Sequence, residues 1–316
     1  MDRADSFTRS KPVIVVVRGV SYAGGVEEEG GGFQDAAIRR RHASRSRRLG
    51  HSRHLGHTLA PGQGAVEQTG TLHDLRLIFY DTECVALLGA PGSGQLALLR
   101  LLNGQLRGWS GAAFVLGQAL SPSTRAPRPH RRRVGLLAAE TALCPERNVA
   151  ENVMLGRLGH QPILGSLIGR TGAVDRRVVA EAMAETSIDA LAVRPANTLG
   201  PEDRRAVALA RVLAQEPRLL LADACDAAGP DRRGYEAEGF ARLCQISRHR
   251  RIPLIAACRH PDLALRHADR VVLMRGGAVV LNSRVEALSA QQRAQLMRAG
   301  PPDTSAPRPP PLRLVV

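Results

Sequence analysis

The stretch CVALLGAPGSGQLALLRLLNG, residues 84–104, constrains the fold of this chain more than any other. Cys84 to Leu88 form an unbroken apolar run, the mark of a strand buried on both faces of a parallel sheet. A glycine-rich turn follows, and after it LALLRLLNG (96–104) carries apolar residues at helical spacing. Where a buried strand turns through glycines into a helix, converging backbone N–H groups and the helix dipole can hold a phosphate. Glycine is required because a side chain would keep the anion away from the backbone. Gly89, Gly92, Ser93 and Gly94 fit that geometry.

The pattern GxxxxGK[ST] then fails at both of its chemical positions. Gln95 stands where a lysine would reach the β- and γ-phosphates; its amide donates a hydrogen bond but brings no charge. A charge-assisted hydrogen bond contributes roughly 1.5–3 kcal/mol, so affinity falls about tenfold or more. Leu96 stands where a serine or threonine hydroxyl would bind Mg²⁺, and an isobutyl group cannot. A plain joining turn between strand and helix is the alternative reading of the loop.

The rest of the chain supplies a parallel α/β core. Pro12–Val20 reads as a strand, and Leu75, Leu77 and Phe79 alternate with polar neighbours except at Ile78. Short apolar strands recur at VGLLA (134–138), RLLLAD (218–223) and PLIAAC (253–258), and RVVLMRGGAVVLN (270–282) reads as a hairpin about Gly276 and Gly277. Residues 148–196 have helical pattern, broken near Gly159, Pro162 and Gly169, and 202–214 predict an amphipathic helix stopped by Pro217. Strands alternating with helices argue for a parallel sheet. Residues 26–70 keep no period and read as a flexible insertion rich in Arg, Gly and His; the C-terminal residues 291–316 read as a Pro-rich tail.

In order and spacing, ALLGAPGSG with LLRLLNG, then VGLL, AENVMLGRLG, ALARVLAQEPRLLLAD and HADRVVLMRGGAVV resemble the ATP-binding subunits of ABC transporters. The local wording RLLNG, ENVMLGRLGHQP, ILGSLIG and LLLAD is most similar to the phosphonate-importer ATPases. The resemblance implies a nucleotide-binding domain over residues 12–290. It implies a P-loop NTPase core with a parallel sheet, an antiparallel β subdomain, and a helical subdomain at about 140–205. ATP and Mg²⁺ are the implied cofactors, and integral-membrane permease subunits the implied partners, docking near residues 140–170. A homodimer, or a heterodimer with another ABC ATPase, is implied as well.

The same resemblance locates the departures. Ala139, followed by Glu140, occupies the position of the glutamine that contacts Mg²⁺ and the attacking water. In place of the LSGGQ signature, which caps a nucleotide held by the opposite subunit, the chain has Leu199-Gly200-Pro201-Glu202-Asp203. Two carboxylates at a helix start suit the dipole but repel a triphosphate. Asp223 is the retained Walker B carboxylate that would hold Mg²⁺ through water. Ala224 replaces the catalytic glutamate, and a positioned general base contributes about 10²–10⁴-fold. No catalytic residue of the family is therefore intact. The switch histidine falls on Arg259 without a gap and on His260 with one deletion. Tyr22 is the candidate for stacking on adenine, a strand-end tyrosine with no ligand being the alternative.

Three function classes follow. One is an importer-type ATP-binding subunit with hydrolysis impaired or lost and ATP and Mg²⁺ binding weakened. The second is a non-catalytic partner or regulator pairing with an intact ATPase. The third is nucleic-acid binding through the arginines of 38–54, suggested by a net charge of +15. That run has no interleaved aromatics for base stacking, so nucleic acid is disfavoured. His51, His54 and His57 would align only on a helix, which Gly50 and Gly56 oppose, so a solvated loop is the expectation rather than a metal site. Five scattered cysteines without a CxxC pair argue for a reducing compartment. No apolar run approaches the roughly 18 residues of a membrane span, and the first residues lack the layout of a signal peptide. The expected location is cytoplasmic, on the inner face of the membrane through partner subunits.

Overall fold

The computed structural model describes residues 11–24, 70–138, 143–160, 172–223 and 233–299. By its contacts the chain divides into two units, Met1–Ala23 with Gly70–Val316, and Gly24–Thr69. Every element named below belongs to the first. The insertion expected at 26–70 falls outside the described residues except for Gly70, as does the tail beyond 299.

Strands β1 (Val13–Tyr22), β2 (Leu72–Tyr80), β4 (Ser110–Val115) and β5 (Gln118–Ala119) form an antiparallel sheet in the order β2-β1-β4-β5. Strands β3 (Cys84–Leu88), β6 (Val134–Leu137), β7 (Leu219–Asp223), β8 (Leu254–Cys258), β9 (Arg270–Arg275) and β10 (Ala278–Arg284) form the second, in the order β10-β9-β3-β8-β7-β6. All its pairings are parallel except the β9–β10 hairpin, which turns through Gly276 and Gly277 at positive φ. The helices are α1 (Gln95–Leu102), α2 (Arg128–Arg133), α3 (Val149–Met154), α4 (Ala173–Glu185), α5 (Pro201–Ala214), α6 (Arg233–Arg250), α7 (Pro261–His267) and α8 (Ala290–Ala299). This is the α/β P-loop architecture. Among the described residues no helix is long and apolar enough to cross a membrane.

The unbroken apolar runs have a simple cause. Side chains alternate between the faces of a strand, and the parallel sheet is covered on both. Cys84, Ala86 and Leu88 of β3 join one core cluster; Val85 and Leu87 join the other. Strands β7, β8 and β9 divide in the same way. One cluster holds the buried faces of α3, α4 and α5, and the other holds α1 and the inner face of the antiparallel sheet. Each fully buried leucine contributes about 1.5–3 kcal/mol relative to exposure.

The structure adds elements that the hydrophobic pattern hid. Strands β4 and β5 and helix α2 were not legible, because α2 is RPHRRR and shows no apolar period. Helix α8 runs through the first part of the segment read as a Pro-rich tail. Its Leu296 is fully buried in the core, and Ser289, whose side chain accepts from the backbone N–H of Gln292, precedes the helix. Prolines 301 and 302 begin only after it ends.

A buried ion pair ties the two sheets together. Arg270 at the start of β9 donates to the Glu83 carboxylate at 2.8 Å and to the Ile78 carbonyl of β2 at 2.8 Å. Its guanidinium also lies 5.2 Å from the Phe79 ring centre and 5.7 Å from that of Tyr80. Leaving one buried charge without the other is destabilising by about 3–5 kcal/mol, whereas replacing both is often near neutral. Arg270→Met is expected to lower unfolding stability by about that much, and the double variant with Glu83→Met by clearly less, as read from urea denaturation curves. Equal losses in the single and double variants would refute the coupling.

Candidate functional site

The site is built at the carboxyl ends of the parallel strands. Leu88, the last residue of β3, pairs with Cys258 of β8 on one side and Leu273 of β9 on the other. Asp223 ends β7 and pairs with Ala257 of β8. Asp223 and the end of β3 therefore flank β8 at nearly the same level, two strand spacings or about 10 Å apart. Alternation along β7 places Asp223 on the face of Leu219 and Leu221, which α1 covers. Asp223 is 7 % exposed.

The glycines of the loop are demanded by close approach. A Cβ on Gly89 would lie 2.5 Å from the Met274 carbonyl oxygen and 2.7 Å from Gln95 Nε2. Gly94, at φ 98°, would place a Cβ 2.6 Å from the Thr71 carbonyl oxygen. Gly92 also has positive φ, 78°, but faces open space. Ser93 donates its N–H to the Ala90 carbonyl at 3.0 Å, closing the turn. Gly94 is then the N-cap of α1 and offers that helix no side-chain cap.

Two further segments bracket the loop, and neither was legible in the sequence as part of it. Gly277 of the β9–β10 turn donates to the Ser93 carbonyl at 3.2 Å and accepts from the His73 N–H at 2.9 Å. A Cβ on Gly70 would lie 2.8 Å from the Gly92 carbonyl oxygen and 3.0 Å from the Gly94 nitrogen. The sequence signal was present as Gly70 and the Gly276-Gly277 pair, but only their contacts connect them to the loop.

At the chemical positions, Gln95 is 6 % exposed and its side-chain amide folds back onto Gly89, inside the turn rather than into solvent. Leu96 is half-buried. Arg259 and His260, both half-buried, follow β8 directly, and His260 is the N-cap of α7. The backbone thus brings both candidates for the switch position to the strand end adjoining Asp223 and Leu88. Tyr22 sits at the far end of β1 opposite Leu72 and is 8 % exposed within the hydrophobic cluster. It is packed as a core residue in this arrangement. Ala139 and Ala224 lie outside the described residues.

Leu199 to Asp203 is held by other elements. Gly200 caps α5 in extended conformation, Pro201 occupies the first turn, and Glu202 and Asp203 stand in that turn, Glu202 exposed. Helix α5 packs against α3 and α4. Proline at the start and carboxylates in the first turn suit a helix N-terminus, which explains why this helix forms without a side-chain cap.

Among the described residues, the glycine loop and the Asp223 carboxylate therefore stand together at the ends of β3 and β7, with a leucine rather than a hydroxyl at position 96.

The geometry defines a P-loop cassette, and comparison with known proteins gives its family. The model of the ABC transporter family matches residues 72–227. The chain is 32 % identical over 242 residues to a Phosphonates import ATP-binding protein PhnC 1 of Pseudomonas aeruginosa, covering 73 % of this chain and 89 % of that one. It is 32 % identical over 274 residues to the Phosphonates import ATP-binding protein PhnC of Anaeromyxobacter dehalogenans, covering 79 % of this chain but only 52 % of the relative, about half its length. Among solved structures, cbiO1 of Clostridium perfringens, part of an ABC transporter complex, superposes with a TM-score of 0.62 at 20 % identity, over 90 % of this chain and 93 % of that one. The chain belongs to the ATP-binding proteins of ABC transporters and is similar to the phosphonate-import group, with altered motifs.

The packing separates two loop glycines. Gly94→Ala combines a left-handed backbone, about 1–2 kcal/mol unfavourable for a non-glycine residue, with a clash against the Thr71 carbonyl. Gly92→Ala meets only the first. Gly94→Ala is expected to lower stability by at least about 1 kcal/mol more than Gly92→Ala in chemical denaturation. Equal losses would mean that the Gly70–Thr71 segment does not press on the loop.

Proposed function

We propose that the chain is the ATP-binding subunit of an ABC import assembly for phosphonate-like substrates, in which ATP is held by the glycine loop and hydrolysed very slowly or not at all. The observation that carries this reading is the state of the loop. Its glycine geometry is kept to the point where added methyl groups would collide with backbone, while the side chain at its centre, Gln95, is an uncharged amide folded onto Gly89. Gly89, Gly92, Ser93 and Gly94 would bind phosphate oxygens through backbone N–H groups, with Gln95 adding a neutral hydrogen bond. Leu96 gives Mg²⁺ no hydroxyl, so Asp223 would be left to hold it through water.

The bound nucleotide would supply the triphosphate, and Mg²⁺, where held, a partial neutralisation of its charge. This chain's residues position the phosphates and exclude side chains from them. Ala224 leaves the attacking water without a base, and Ala139 leaves it without a second amide to orient it. The proposed partners are integral-membrane permease subunits, which place the protein on the inner face of the membrane. Residues 12–290 are proposed as the nucleotide-binding domain, with the helical subdomain at about 140–205.

Glu202 and Asp203 at the start of α5 favour a particular form of assembly. In a homodimer both nucleotides would face two carboxylates. Pairing with an intact ABC ATPase restricts that repulsion to one of the two sites, so a heterodimer with a regulatory, non-catalytic role for this chain is the second reading.

Calorimetric titration tests the binding claim. ATP in EDTA and Mg-ATP are expected to bind with dissociation constants within about threefold of each other, and Gln95→Lys to tighten binding about tenfold or more. Absence of binding in both buffers would overturn ATP retention. Steady turnover of ATP by the purified chain, abolished by Asp223→Asn, would overturn the loss of hydrolysis.

A further inference from the structure

Two cysteines 160 residues apart in sequence meet where β3 packs on α6. The Sγ atoms of Cys84 and Cys244 are 2.9 Å apart. Cys84 is 1 % exposed and Cys244 fully buried. Buried cysteines ordinarily pack as small hydrophobes. These sulfurs are closer than the roughly 3.5–4.0 Å of non-bonded carbon contacts, although sulfur is the larger atom. They lack less than about 1 Å of the ~2.05 Å disulfide separation.

A charged pair stands beside them. The backbone N–H of Cys84 donates to Asp269 Oδ2 at 2.9 Å, and Arg248 donates to Asp269 Oδ1 at 3.0 Å. Arg248 lies one turn beyond Cys244 on α6. The hydrogen bond with Cys244 and burial push the Cys84 thiol far up, and the Arg248 guanidinium acts in the opposite direction. The Cys84 thiol is therefore held protonated, Asp269 adding to the rise, with the Arg248 guanidinium nearby acting toward the nucleophilic thiolate. Elsewhere among the described residues Cys258 donates to the His260 carbonyl at 3.4 Å, and Cys144 is half-buried.

We propose that Cys84 and Cys244 are a dithiol modification site, converted to a reversible disulfide by hydrogen peroxide. One sulfur attacks a peroxide oxygen, the O–O bond breaks, and a sulfenic acid forms with release of one water. The second sulfur attacks the sulfenic sulfur, the S–S bond forms, and the sulfenic oxygen leaves as a second water with the remaining thiol proton. The two thiols are oxidised by two electrons, and the peroxide is reduced to two waters. Reduction by a dithiol restores the pair. The bond would join α6 to the strand that enters the glycine loop five residues later, at Gly89. It would thereby restrict how the loop and the elements after β7 move against each other.

The test uses the native, reduced full chain. It is exposed to hydrogen peroxide, alkylated under denaturing conditions, digested and examined by mass spectrometry. The expected product is a Cys84–Cys244 linked peptide pair, lighter by two hydrogens than the separate peptides and lost on treatment with dithiothreitol. The oxidised chain is expected to melt several degrees higher than the reduced chain, as a cross-link closing a long loop restricts the unfolded state. Cys244→Ala, a small change in a buried position, is expected to abolish both the linked pair and the melting shift. Full alkylation of both cysteines after a peroxide dose that oxidises Cys144 would overturn the proposal. Preferential linkage of either cysteine to Cys144, Cys225 or Cys258 would overturn it equally. The readout is the covalent state of the chain and does not depend on whether nucleotide binds.

Discussion

Everything at the candidate site depends on how closely the backbone at Gly89 approaches the end of β9. The turn can leave β3, clear the Met274 carbonyl and enter α1 only because no Cβ stands at that position. Once the chain passes there, the Ser93 turn, the Gly94 cap and the first turn of α1 follow from local geometry. The β9–β10 turn then closes on the loop through Gly277, and Gly70 and Thr71 pack over it. The loop is therefore held from three directions by backbone, and its shape does not depend on the side chains that the chemistry of the family uses.

That independence explains how the scaffold accommodates other residues at positions 95 and 96. Gln95 and Leu96 enter α1 without disturbing its buried face, since Ala97, Leu98, Leu99, Leu101 and Leu102 supply the packing. Glu202 and Asp203 suit the start of α5 as a helix although they oppose an anion. Asp223, which remains, sits where β7 and β8 pair at the level of the loop. The backbone framework of the loop is thus kept independently of the side chains at 95 and 96.

The central strands and the helix after the loop were legible because burial on both sheet faces writes unbroken apolar runs into the sequence. Other elements were hidden for equally physical reasons. Helix α2 is a row of basic residues anchored by its buried His130, which contacts the Leu102 carbonyl at 3.1 Å. Helix α8 has a single fully buried leucine, too little to set up a period. At the site, the identity of the residues at 95, 96 and 223 could be read directly. The role of Gly70 and Gly277 could not, because each acts through a contact with a segment distant in the chain.

The sequence by itself determined the class of the protein, since strand, glycine turn and helix in that order specify a phosphate loop, and the order of the later segments specifies the family. It also determined which residues stand at the loop's chemical positions, Gln95 and Leu96, because residue identity does not depend on folding. Only the tertiary structure decided where Gln95 points, that Tyr22 is packed within a core cluster, that Arg259 and His260 share the strand end beside Asp223, and that Cys84 meets Cys244. Those are facts about approach across strands and helices far apart in the chain. They are set by sheet register and packing, which no local pattern of residues records.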